Sequence, residues 1–203
     1  MKLYGMTPSG NCWKPAVLMK QLAIPFEWVE VDILKGESRT PEFLKKNPNG
    51  RVPLLEVAPG KYLAESNAML CYLAEGSAFL PADKYARAKV LEWLFFEQYS
   101  HEPYIATVRF WVKFLHKGEE WKDKIADAMK KGYAALDVME KQLAQTNFLA
   151  GNSYSIADIA LYAYTHVAHE GGYDLSAYPA LKAWMRRLEQ TPMFFPMQAR
   201  AAA

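Results

Sequence analysis

The chain has little cysteine, little net charge and no long apolar run. Of its 203 residues only Cys12 and Cys71 carry thiols, too few for the disulfide framework of a small secreted protein and in keeping with a reducing compartment. Lysine and arginine number 24 against 22 aspartates and glutamates, a formal net charge of +2. No global positive field therefore draws the chain to nucleic acid or to an anionic membrane surface. A local cationic pocket stays open. No stretch approaches the roughly 18 uncharged apolar residues of a membrane span. The amino terminus, one lysine before a strand-like run, lacks the apolar centre and small-residue cleavage site of a secretory signal. The expectation is a cytoplasmic protein with no nucleic-acid partner, no membrane and no metal. What is present is ordinary globular material: 51% hydrophobic and 23% charged residues can fill a sizeable core in one compact unit or two.

The pattern changes along the chain. "KLYG" is a short β-type run, after which "NCWKPAVLMKQLAI" puts Ala16, Val17, Met19, Leu22 and Ala23 on one helical face. Pro15 is tolerated in a first turn, so this helix is expected to begin near Ser9 to Asn11. "FEWVEVDI" reads as a second strand, completing a βαβ unit of about thirty residues. "TPEFLKKNP" is a short helix opened by Thr40 and Pro41. "VPLLEV" and "KYLAE" flank Ala58-Pro59-Gly60 and should pair as an antiparallel hairpin. "ESNAMLCYLAEG" follows as a helix ending at Gly76. From Tyr85 only helical periods occur: one stretch to about His116, one from Glu120 to Leu143, then "SIADIALYAYTHVAHE" and "PALKAWMRRLEQ". The expected organisation is a βαβαββα domain over 1–77 and an all-helical domain over 84–203, joined by "SAFLPADK". The closing "QARAAA" is expected to fray.

Three places carry chemistry. In "MTPSGNCWKP" a serine stands where strand–turn–helix redox enzymes often place an attacking sulfur. Ser9 either caps the helix, a role serine favours, or donates its hydroxyl to a thiolate that a bound cofactor supplies. It cannot form a disulfide. In "NPNGRVPLLE" Pro53 stands at a strand start, as a trans residue or as a cis one; if cis, Val52 can turn its backbone N–H and C=O toward a ligand. In "LAESNAML" Glu65 and Ser66 either cap a helix or hold the amino and carboxylate ends of an α-amino acid.

The order of these signals resembles the glutathione transferases of the cytosolic type, a bacterial theta-like or related serine-type member. The likeness runs through "MKLYGMTPSGNCWK", "PFEWVEVDILKGE", "NPNGRVPLLE", "LAESNAMLCYLAE" and "FLAGNSYSIADIALYAY". It implies a thioredoxin-like first domain, an all-helical second domain and glutathione as co-substrate. It also implies a homodimer with a detoxifying activity on a small hydrophobic electrophile. By the same resemblance, Ser9 matches the activating hydroxyl and Asn11 a second polar group near the sulfur. Val52 exchanges backbone bonds with the cysteinyl part, and Pro53 is the cis proline. Glu65 and Ser66 hold the γ-glutamyl end, and Arg39 and Arg51 lie near the glycyl carboxylate. Tyr104, Thr107 and Trp111, part of an aromatic stripe that Pro103 should kink, match an electrophile pocket. Tyr4 is expected to pack in the sheet, and the pair Ser155 and Asp158 to cap a buried core helix. Two rivals remain. One is a glutathione-dependent disulfide reductase or peroxidase, using Cys12 or two glutathiones. The other is a non-catalytic ligand-binding or assembly module of the same fold.

Overall fold

The computed structural model describes residues 1–197, so the expected fraying of "QARAAA" lies outside the described residues. Strand β1 (Lys2–Gly5) pairs in parallel with β2 (Glu27–Glu30), Lys2 opposite Glu27 and Gly5 opposite Glu30, with helix α1 (Gly10–Gln21) between them. On its other edge β1 pairs antiparallel with β3 (Leu54–Ala58), and β3 turns through Pro59 and Gly60 into β4 (Lys61–Ala64). Gly60 takes φ 72°, the left-handed value the turn needs. The sheet order is β2-β1-β3-β4. Helices α2 (Pro41–Lys46) and α3 (Ser66–Ala74) complete the expected thioredoxin-like arrangement.

Two local details differ from the sequence reading. Because α1 begins at Gly10, Pro15 falls in its second turn rather than its first. The missing N–H is the one an uninterrupted helix would aim at the Asn11 carbonyl. The long helical period after residue 84 is also interrupted. Helix α4 (Lys84–Phe96) runs into a π-helical turn (Glu97–His101) before α5 (Glu102–Arg109), and a second π turn (Phe110–Phe114) follows. Pro103 accounts for the first, since it lacks a donor and its ring crowds the carbonyl four residues back; an inserted residue relieves that crowding. The expected kink is thus a widened turn.

Met1–Ser77 form one compact unit together with the segment that starts at Thr191; Ala78–Gln190 form the other. Periodicity grouped that last segment with the helices. In the structure Trp13 of α1 donates its indole N–H to the Phe195 carbonyl at 2.9 Å and meets Phe194 and Phe195 edge-on. Gln21 donates to the Thr191 hydroxyl at 3.0 Å.

The helical unit continues with α6 (Lys122–Leu143), α7 (Ile156–Thr165) and α8 (Pro179–Glu189). Helix α6 buries Ile125, Ala128, Gly132, Ala135, Leu136, Met139 and Leu143, the three-and-four spacing of one face. Every residue of α7 is buried. Its start is held by Asp158, whose Oδ1 accepts from the Leu149 N–H and the Trp184 indole, each at 2.9 Å. Its Oδ2 accepts from the Ser155 N–H at 2.9 Å and hydroxyl at 3.1 Å. Burial pushes this carboxyl up to about 6 against the pull of all four donors. No helix among the described residues is long and apolar enough to cross a membrane.

All four groups facing Asp158 donate, so an amide in its place would aim its NH₂ at two of them. Asp158→Asn should lower the unfolding free energy by about 3 kcal/mol in urea titrations. A loss under about 1 kcal/mol would show that these bonds do not hold the helix start.

Candidate functional site

The site in the first unit begins where β1 stops. Gly5 is required there: a Cβ on it would stand 2.8 Å from the Trp28 ring and 3.0 Å from the Cys12 Cβ. The chain then turns into Ser9, which takes an extended conformation (φ −90°, ψ 121°) and caps α1, its Oγ accepting the Cys12 N–H at 3.4 Å. The cap is real, and it does not exhaust the residue. A hydroxyl has two lone pairs and one proton, and this cap uses a lone pair. Ser9 is half-buried, beside the positive end of the helix.

Cys12 lies one turn further on and is wholly buried. Burial pushes its thiol up to about 11, against the Ser9 hydroxyl and the Met6 N–H, which bonds to its Sγ at 3.4 Å. A thiol raised in this way stays protonated at neutral pH. Cys12 packs at the strand–helix joint.

The starts of α1 and α3 are tied by three side chains. Lys14 Nζ donates to Ser66 Oγ at 3.5 Å, and Ser66 Oγ donates to Asn11 Oδ1 at 3.2 Å. Asn11 and Ser66 were expected at a site. Lys14 was not, although the sequence holds a signal: an ammonium inside the buried run from Cys12 to Met19 requires polar partners. Glu65 precedes α3 at φ 68°, ψ 113°, with an exposed carboxylate that makes no capping bond. A non-glycine residue seldom occupies that region, and never for the sake of a cap it does not make.

The peptide bond between Val52 and Pro53 is cis. Val52 stands just ahead of the ladder, whose first paired residue is Leu54. The loop before it is built by Asn47, whose amide donates to the Arg51 carbonyl at 2.9 Å while its Oδ1 accepts the Asn49 N–H at 3.1 Å. Arg39 braces the same loop. Its guanidinium donates to the Asn49 carbonyl at 3.0 Å and lies over Gly50, where a Cβ would come within 2.6 Å of Nη1. Both Arg39 and Arg51 have exposed side chains. Tyr4 is held in the sheet, donating to Glu56 at 3.1 Å and meeting Phe43 edge-on.

In the helical unit Tyr104 and Thr107 lie on α5 and Trp111 in the π turn after it, all half-buried. Lys131 stands over the Tyr104 ring at 5.3 Å. Trp111 meets Trp121 edge-on at 5.7 Å, with the Lys124 ammonium 4.1 Å from its ring. Among the described residues no group of three or more His, Cys, Asp or Glu is placed to hold a metal.

The family described as "Glutathione S-transferase, N-terminal domain" matches residues 1–75, and "Glutathione S-transferase, C-terminal domain" matches residues 96–192. A glutathione S-transferase from Pseudomonas fluorescens Pf-5 of known crystal structure is 54% identical, with a TM-score of 0.95 and 98% of each chain covered. A glutathione transferase family member from the same strain, crystallised with two glutathione bound, is 27% identical at a TM-score of 0.83, covering 95% of this chain and 89% of that one. The disulfide-bond oxidoreductase YfcG of Escherichia coli K12 is 29% identical over 93% of this chain and 89% of its own.

Burial separates the two thiols. In the native protein at pH 8 a thiol-reactive dye should modify the partly exposed Cys71 and leave Cys12 until denaturant is added. Rapid native labelling at Cys12, located by peptide mass spectrometry, would contradict its assignment as packing.

Proposed function

The chain belongs to the glutathione transferase family, and on that premise we propose that it binds reduced glutathione on its first unit and activates its thiolate for attack on an apolar electrophile. The carrying observation is Ser9: its cap bond uses a lone pair and not its proton, and the cysteine its hydroxyl meets is deeply buried, whereas Ser9 itself is half-buried. The attacking sulfur is therefore the ligand's. A free thiol titrates near ~8.5, so lowering it by two units takes the thiolate fraction at pH 7 from about 3% to about 75%. That gain is the expected task of Ser9, assisted by Asn11 and the dipole of α1.

The other charges suit a tripeptide with two carboxylates and one amine. The Glu65 carboxylate, exposed at the start of α3, meets the amine, and Ser66 with the helix amides meets the γ-glutamyl carboxylate. Val52 offers its backbone beside the cis bond to the cysteinyl part. Arg39 and Arg51 are cationic near the glycyl end, Arg39 also bracing the loop. Tyr104, Thr107 and Trp111 hold the electrophile. The exposed rings of Phe95 and Tyr99, 73% and 83% accessible, support a second copy covering that face in a cytoplasmic homodimer. The activity would be detoxifying.

A second reading is disulfide reduction by two glutathiones in turn. The first thiolate attacks a disulfide and expels a thiolate; the second resolves the mixed disulfide, giving glutathione disulfide and the second thiol. The oxidoreductase relative and the neighbour holding two glutathiones favour this version, and the burial of Cys12 counts against the one that uses an enzyme cysteine.

Ser9→Ala should cut conjugation of 1-chloro-2,4-dinitrobenzene by about 10²-fold, as the loss of one donor to a reacting anion does. The pH–rate midpoint should move up while calorimetry still detects glutathione binding. An unchanged pH profile would remove Ser9 from the chemistry. Cys12→Ala should keep any disulfide reductase activity. A chain that binds glutathione but neither conjugates nor reduces is the non-catalytic module.

A further inference from the structure

Lys14 is the one lysine among the described residues that is wholly buried, at 0% exposure. Its ammonium donates into Ser66 Oγ, at the first residue of α3, and the Ser66 proton goes to Asn11. A hydroxyl has a single proton. With Lys14 occupying one lone pair, that proton must point away from the ammonium. It goes to Asn11 in the ligand-free chain, or to an acceptor arriving at the start of α3. A cation held in the interior, one hydrogen bond from that point, favours an anionic acceptor over a neutral one, and salt screens it weakly.

We propose that Lys14 is a positioning residue that acts through Ser66. It makes the site select tripeptides by the free α-carboxylate of their γ-glutamyl residue. The proposal rests on the reading of this unit as a glutathione site.

A lysine that merely ties α1 to α3 would act on every ligand alike, and that is the contrast to measure. Lys14→Met keeps most of the unbranched side chain without the charge, and Lys14→Gln keeps a donor without the charge. Dissociation constants are read by calorimetry for glutathione and for γ-aminobutyryl-cysteinylglycine, the same tripeptide without that carboxylate. Both variants should weaken glutathione by about tenfold or more and move the analogue by less than about twofold. Equal losses for the two ligands, or no loss, overturn the proposal. A wild-type chain that binds neither ligand refutes the glutathione site itself, a different outcome. Should the variants fail to fold, the ¹⁵N resonance of the Lys14 ammonium is followed in the wild-type protein. It should shift with glutathione and hold still with the analogue; the same response to both overturns the assignment.

Discussion

The first amides of a helix have no partner inside it, and at α1 the chain meets that constraint with one serine. Much else is arranged around this choice. Gly5 lets Trp28 and Cys12 close on the end of β1, which fixes where the turn leaves the sheet. Cys12 fills the joint as a small apolar group and receives the Met6 N–H. Ser9 is left half-buried, with a lone pair committed to the Cys12 N–H and its hydroxyl beside the Cys12 thiol. The atom that stabilises the helix start thus lies at the end of the dipole that favours an anion.

The helical unit answers the same constraint in the opposite way. At α7 a carboxylate is buried completely and surrounded by four donors. Nothing remains on Asp158 to offer a ligand, and its role is confined to folding. The start of α3 is a third case. Glu65 does not cap it, and the residue that holds Ser66 comes from another helix, Lys14. The three helix starts thus differ in how fully their side chains are engaged.

Legibility in the sequence followed locality. The hairpin at Pro59-Gly60, the Thr40-Pro41 helix start and the Ser155–Asp158 box are set within a few residues, and each was readable. The isomer at Pro53 was not, because neighbouring residues permit both forms and only the family resemblance favoured cis. Lys14 was invisible as a partner of Ser66 because 52 residues separate them. Arg39 was read only as a cation near the glycyl carboxylate, and its bond to the Asn49 carbonyl shows only in the folded loop. The π turns escaped a periodic reading, since an extra residue in one turn shifts the apolar stripe without erasing it.

The hydrogen bond from Trp13 to Phe195 joins residues 182 positions apart. The outer side of α1 is therefore finished by chain that leaves the ribosome only after the helical unit has been made. Until Phe194 and Phe195 are made, that side of Trp13 lacks its partners. A chain cut before Thr191 would leave that side of the Trp13 indole without the carbonyl and the two rings it meets.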